Sequence, residues 1–341
     1  MTSQATTPKS LERARRAVLP ILTAASADLA PELRRVVEYH WGWIDADGTR
    51  SARARAGKAL RPTLVLLAAE SVGADAGVAL SGAAAVEMIH DFTLLHDDVM
   101  DQDRERRGRP TAWTCFGVGR AICGGDALVL RATQLLLADA SPHGARATDE
   151  LLAATQAVIA GQGQDLAFEG RVDVTVDAYL AMAGGKTGAL LGGSAAIGAI
   201  LGGGADDRID ALRTWGEALG LAFQAVDDWL GIWGDPERTG KPRASDLRQR
   251  KASLPIVMAL SGEGGIAAEM RAWMRDDGVP SETAIDRAVG WLDALGAESA
   301  TRALARRELG RALESLESVE LEPAAHDELV ELSRFVVERE F

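Results

Sequence analysis

Apolar residues recur every three to four positions along most of the 341 residues, the period of helices that turn one face to a core. The pattern predicts helices from Leu11 to Ala25, Pro31 to Trp43, Leu64 to Ala74 and Val78 to Met100. Further helices are predicted from Gly125 to Ala138, Ala147 to Ala167, Val176 to Leu201, Arg208 to Trp233 and Leu254 to Leu260. The last three run from Ser281 to Leu295, Ala297 to Leu316 and Ala325 to Glu338. Turn chemistry marks the breaks: Asp45-Ala46-Asp47-Gly48, Gly202-Gly203-Gly204, Gly234-Asp235-Pro236, Gly262-Glu263-Gly264-Gly265 and Val279-Pro280. Pro62 suits a helix start, where its missing N–H costs nothing. Alternating β-branched residues are scarce, so the expected fold class is all-α. No linker or repeat divides the chain, which is read as one domain over 1–341, with its motifs between about 57 and 255 and a polar, disordered start over 1–9.

Composition narrows the possibilities. The formal net charge is −13 and the cations are dispersed among acids, so the basic stripe of a nucleic-acid-binding protein is missing. Cys115 and Cys123 have the spacing of neither a zinc knuckle nor a redox pair, which favours a reducing, cytoplasmic setting and a packing role for both. Gly188 to Gly204 is the most membrane-like stretch, but it is short and bounded by Lys186 and Asp206, so a buried helix is expected and no stable membrane span.

The chemistry lies in two acidic clusters. Asp97-Asp98-Val99-Met100-Asp101 ends an apolar helix; at about 100° per residue Asp97 and Asp101 point the same way, with Asp98 beside them. Such carboxylates repel one another unless a cation joins them. Mg²⁺ is the natural occupant, sharing its remaining positions between water and phosphate oxygens. Arg104, Arg106, Arg107 and Arg109 follow at once and offer planar, charge-assisted donors to a diphosphate. The second cluster, Asp227-Asp228 continued by Asp235, ends another apolar helix, with Asp228 and Asp235 seven residues apart on one helical stripe and Asp227 within reach of the same metal. A cationic loop follows, from which Lys241 is expected to reach a phosphate, and Lys251 less directly. Lys186-Thr187 interrupts an apolar, glycine-rich helix; a buried lysine is costly unless paired, so it should face ligand or carboxylate.

These residues, in order, resemble the trans-isoprenyl diphosphate synthases, the farnesyl and geranylgeranyl diphosphate synthase family. The resemblance runs through Gly57-Lys58 with Arg61-Pro62, Asp97 to Asp101 with Arg106-Arg107, Gly161-Gln162 with Asp165, Lys186-Thr187, Gln224 with Asp227-Asp228, and Gly240-Lys241. It implies a helical bundle around a central cavity, usually a homodimer, with about three Mg²⁺ ions held by Asp97, Asp101 and Asp227, and Asp98 and Asp228 close by. Arg106, Lys186, Thr187, Gln224 and Lys241 would serve the allylic diphosphate; Lys58, Arg61, His90 and Arg107 match the positions that hold isopentenyl diphosphate. His90 also falls on the stripe of Asp97, two turns deeper.

The second cluster departs from the family pattern: Gly231 stands where a third aspartate is common. Asp227-Asp228-x-x-Gly231-x-x-x-Asp235 also fits a relaxed second metal motif of class I terpene cyclases, and a noncatalytic subunit of a heteromeric synthase is a third reading. The retained isopentenyl diphosphate pocket and the low aromatic content argue against a cyclase; the intact first cluster argues against a silent subunit. Product length should be set by side chains upstream of Asp97. Phe92 lies about 7.5 Å below the cluster along the helix, a pattern that resembles geranylgeranyl (C20) synthases more than farnesyl (C15) synthases.

Overall fold

The computed structural model describes residues 8–51, 57, 59–236, 242–276 and 278–338. The expected all-α class is what it shows. Helices α1 (Lys9–Ala27), α2 (Pro31–His40), α3 (Leu60–Ser71) and α4 (Leu80–Met100) open the chain, the last preceded by a 3₁₀ turn over Ala76–Ala79. A hairpin, β1 (Glu105–Arg106) with β2 (Arg109–Pro110), and the short α5 (Ala112–Phe116) lead into α6 (Val118–Leu137) and α7 (Gly144–Phe168). Then come α8 (Val176–Ala183), a π turn over Gly184–Gly188, α9 (Ala189–Leu201) and α10 (Asp206–Trp233). The remainder is α11 (Ser245–Arg248), α12 (Leu254–Leu260), α13 (Gly265–Met274), α14 (Glu282–Ala294), α15 (Ala297–Glu317) and α16 (Pro323–Glu338). Among the described residues, β1 and β2 are the only strands.

The bundle is organised around α4 and α9. Helix α4 packs between α3 and α6, α9 between α3, α7 and α10, and α10 also lies along α15. Helix α9 is buried on every side from Leu190 to Leu201, as its uniformly apolar sequence requires. Its contact with α3 is close enough that a Cβ on Gly198 would stand 2.0 Å from the Val65 carbonyl oxygen. The stretch Ala76–Met100 is long and apolar enough to cross a membrane, yet most of its apolar window is buried among other helices. A second, smaller core joins α11 to α14 through Leu247, Ile256, Met270, Ile285 and Leu292.

Several boundaries differ from the periodicity. Helix α3 begins four residues earlier than predicted, with Pro62 still in its first turn. The predicted helix from Val176 to Leu201 carries the π turn, a one-residue widening that leaves hydrophobic periodicity almost unchanged. The hairpin, α5, α11 and α13 were not predicted; the hairpin, α5 and α11 are each too short for the pattern to register. Cys123 is exposed instead of packed, while Cys115 is half-buried and donates to the Tyr39 hydroxyl.

Candidate active site

The first acidic wall stands at the end of α4. Asp101 caps the helix, and its N–H still donates to the Asp97 carbonyl at 2.8 Å, so the two carboxylates are one turn apart as expected. Asp98 is turned inward and is 1% exposed; its Oδ1 accepts from Arg106 Nε at 2.5 Å, and its buried Oδ2 has no hydrogen-bond donor. Arg106 reaches it from the hairpin, whose two-residue loop, Arg107 and Gly108, has positive φ at both positions (55° and 71°), the arrangement that matches strand twist in tight hairpins. Arg109 ties that hairpin to the chain before α3 through the Ile44 carbonyl at 2.8 Å. Burial lifts the Asp97 carboxyl to about 6, with Asp101 and Asp165 adding to the rise and Lys186 and Arg106 opposing it.

The second wall lies on α10, and its adjacent aspartates have separate surroundings. Asp227 is exposed, whereas Asp228 is buried. Asp228 accepts from the Tyr179 hydroxyl, from Gln224 Nε2 at 2.9 Å and from the Leu254 N–H at 2.7 Å. The chain of bonds continues from Gln224 Oε1 to the Thr187 hydroxyl at 2.7 Å. Thr187 and Gln224 thus belong to one polar relay that holds α10 against the π turn. The helical stripe from Asp228 does not extend to Asp235: α10 stops at Trp233, and Gly234 is extended (ψ 145°), so the exposed Asp235 leaves the helix axis.

Two lysines stand beside the acidic walls. The π turn carries Lys186 against α7, where Gly161 allows an approach so close that a Cβ there would lie 2.3 Å from the Lys186 nitrogen. One turn further along α7, Asp165 receives the Lys186 ammonium at 2.5 Å. Sequence reasoning placed Lys186 correctly before a carboxylate without deciding which one. Lys251 was underrated. Burial works against its charge, but Asp228, Asp165, Asp246 and Asp101 outweigh that and hold its ammonium above the ordinary lysine range. It therefore faces carboxylates of both walls. Lys58 and Lys241 lie outside the described residues.

Beside the first wall is a cationic pocket. His90 on α4 is kept well below the usual imidazole range by burial and by the charges of Arg61, Arg107, His40 and Arg106. Arg61, on the first turn of α3, has a buried Nε without a hydrogen-bond acceptor, and Gly57 packs against Arg107, with a Cβ there falling 3.2 Å from its Nη2. Glu87, which sequence reasoning missed, is the counterpoise. Burial and Asp91 raise its carboxyl to about 8 against the pull of Arg61 and Arg107. The α4 spacing Glu87, His90, Asp91 was a usable signal, since residues three and four apart share a helical face.

Phe92 is 8% exposed and meets the His96 ring edge-on at 4.8 Å. Both pack toward α6 at Gly125, where a Cβ would fall 2.5 Å from His96 and 3.3 Å from Phe92. Trp229 and Trp233, the tryptophans that follow the second pair of aspartates on α10, are turned to the C-terminal helices: they donate to Glu298 and Asp293, and Arg302 covers Trp229.

The donor set fits Mg²⁺. It consists of hard carboxylate oxygens that repel one another, with one buried oxygen of Asp98 lacking a donor. Among the described residues no three acidic, histidine or cysteine side chains close on a single point. An ion bound here would take few ligands from the protein and leave the rest to water and phosphate, which is how Mg²⁺ is usually held.

The family model described as polyprenyl synthetase matches residues 49–290, a stretch that contains both walls, the cationic pocket and the two lysines. The chain belongs to the polyprenyl synthetase family. Relatives of this chain include the (2E,6E)-farnesyl diphosphate synthase of Mycobacterium tuberculosis, 41% identical over 327 residues, 95% of this chain and 90% of that one. The geranylgeranyl diphosphate synthase of the same organism is also 41% identical, over 331 residues, 97% and 93% of the two chains. Among solved structures, polyprenyl synthetase from Streptomyces coelicolor A3(2) superposes with a TM-score of 0.92 at 43% identity, covering 96% of this chain and 99% of that one. This polyprenyl synthetase is thus an enzyme of prenyl transfer, a trans-prenyl diphosphate synthase.

Proposed function

We propose that the enzyme condenses isopentenyl diphosphate with an allylic diphosphate to give geranylgeranyl diphosphate, a C20 product, as a single isoprenyl synthase domain. The observation that carries this reading is the pairing of two acidic walls, with Lys251 set among carboxylates of both and Lys186 held by Asp165 beside the first, with a separate cationic pocket at Arg61, His90 and Arg107. One site suits a diphosphate that leaves, the other a diphosphate that stays. Bound at Asp97, Asp101 and Asp227, about three Mg²⁺ ions would neutralise the leaving diphosphate. Arg106, Lys186 and Lys241 add donors to the same group, favouring cleavage of the allylic C–O bond to a cation and diphosphate. Arg61, Arg107 and Lys58 hold isopentenyl diphosphate so that its double bond attacks that cation; the proton lost in forming the new double bond passes to the released diphosphate.

The C20 length rests on Phe92, buried below Asp97 with Thr93 beside it. A C15 product is the second reading, favoured by the equal 41% identity to the farnesyl enzyme. The tryptophans near the second wall are engaged by α14 and α15, which weighs against a cyclase that steers a cation with their faces. A homodimer agrees with the apolar side chains left uncovered on α6 and α7, where Leu130 is 66% exposed, Leu137 64% and Ile159 53%. A cytoplasmic location agrees with the free thiols.

Purified protein incubated with Mg²⁺, labelled isopentenyl diphosphate and, separately, C5, C10 and C15 allylic diphosphates tests the reading. Mass spectrometry should find the label in a C20 diphosphate. An unlabelled cyclic hydrocarbon would make the enzyme a cyclase, and no turnover in any tube would make it a partner subunit.

A further inference from the structure

His96 stands next to Asp97 in the sequence but serves a different surface. Successive helical residues are turned by about 100°, and the His96 ring points to α6, where its Nε2 lies 3.0 Å from the Ile122 carbonyl oxygen. A carbonyl can only accept, so that nitrogen carries the proton and donates; the Asp126 carboxylate, 3.6 Å from the same nitrogen, favours the arrangement. Phe92 is one turn earlier on the same face of α4. Its ring meets the imidazole edge-on, with centroids 4.8 Å apart and planes at 70°, a favoured aromatic geometry. Both rings are seated in one notch of α6. A Cβ on Gly125 would fall 2.5 Å from His96 Cδ2 and Nε2 and 3.3 Å from Phe92 Cδ2, so any other residue there would displace the imidazole and press on the phenyl ring. Gly124 gives a similar closeness to α2, where a Cβ would be 3.1 Å from Val36. Two adjacent glycines inside a 20-residue helix run against helix propensity, and the close seat of α4 and α2 accounts for them.

We propose that His96 is a positioning residue for product length: seated against the side-chain-free Gly125 and tied to the Ile122 carbonyl, it holds the Phe92 ring across the path of the growing prenyl chain. This rests on the reading of Phe92 as the floor beneath Asp97, and it names what keeps that floor in place. The imidazole is committed to α6 and turned away from the acidic wall, so its contribution is to the shape of the cavity and not to the grip on diphosphate. The two neighbours of Phe92 then act in opposite directions. Removing the imidazole frees the phenyl ring to swing into the vacated space and deepens the path, whereas a methyl group at 125 pushes both rings away from α6 and shortens it. Making both changes together puts the methyl group where the imidazole was and offsets one by the other.

The test uses the full-length enzyme with Mg²⁺, labelled isopentenyl diphosphate and a C10 allylic diphosphate. Products are read at low conversion by mass spectrometry of intact diphosphates, and the unfolding temperature of each protein is recorded. Compared are the parent, Phe92→Ala, His96→Ala, Gly125→Ala and the double variant His96→Ala with Gly125→Ala. His96→Ala should raise the ratio of longer products to C20 about tenfold with Phe92 still in place, the scale on which one methylene-sized change discriminates in an apolar pocket. Gly125→Ala should raise the ratio of C15 to C20 by about the same factor, and the double variant should return both ratios to within about threefold of the parent. Gly125 is on another helix from the acidic wall, so its variant decides the matter if His96→Ala loses turnover. A lowered unfolding temperature with unchanged ratios is a packing role alone and overturns the proposal. If Phe92→Ala lengthens the product but His96→Ala and Gly125→Ala keep the parent distribution, or either shifts it the opposite way, the positioning role is wrong while the reading of Phe92 stands. If Phe92→Ala leaves the distribution unchanged as well, both fall.

Discussion

The Lys186 ammonium and the Asp165 carboxylate meet at 2.5 Å across the seam between the π turn and α7. Their side chains are 21% and 16% exposed, so solvent screens the pair only in part. Asp165 fixes one end of a lysine assigned here to the allylic diphosphate. Asp165→Asn keeps the shape and removes the charge. The expected result is a rise of about ten- to a hundredfold in KM for the allylic substrate, the range of one charge-assisted hydrogen bond, about 1.5–3 kcal/mol, with a smaller change in KM for isopentenyl diphosphate. Steady-state kinetics with each substrate varied in turn checks it; equal effects on both would remove the positioning role.

Tyr179 is 2% exposed and its hydroxyl donates to Asp228. Removing that hydroxyl leaves a buried carboxylate oxygen that still accepts from the Leu254 N–H. Tyr179→Phe should therefore cost about 1–3 kcal/mol of folding stability, read as a lower urea midpoint. An unchanged midpoint would mean that water replaces the hydroxyl.

Glu87 gives a pH dependence whose sign is fixed by its raised carboxyl. In the unfolded chain it titrates near the ordinary glutamate value of 4.5, in the folded protein near 8. The fold therefore favours the protonated form, and the destabilisation is absent below about 4.5, grows between the two values and is complete above about 8. Glu87→Gln should leave the unfolding temperature unchanged near pH 4.5 and raise it progressively toward pH 8. Melting curves across that interval decide the matter, and a gain confined to acid pH would contradict the assignment.

The helical class and the order of the long helices were legible because apolar periodicity records burial directly, and α9, apolar throughout, was read as buried for that reason. The stripe joining Asp97 to Asp101 was legible too, since it needs only an intact helix end. Asp235 leaves the stripe of Asp228 at the break that Gly234-Asp235-Pro236 already marks in the sequence, where Gly234 adopts an extended backbone. Lys251 was undervalued because its acidic surroundings come from the fold of α11 between two left-handed residues, a tertiary arrangement with no periodic signature. The split between exposed Asp227 and buried Asp228 likewise follows from packing against α8 and α12, neither of which adjoins them in the chain.

Phe92 offers the most direct test of product length. It lies on α4 one turn and a residue before Asp97, is almost fully buried, and packs with His96 against the side-chain-free position Gly125 on α6. A prenyl chain growing down from the acidic wall would meet this ring before it met the rest of the bundle. Phe92→Ala removes the ring and leaves a cavity beside Thr93, so the product distribution should shift to chains longer than C20, at a stability cost of about 3–5 kcal/mol for the lost packing. Phe92→Leu, which keeps most of the volume, should shift it less. Liquid chromatography with mass spectrometry of intact diphosphates reads both variants, and an unchanged distribution in Phe92→Ala would place the floor of the cavity on another helix.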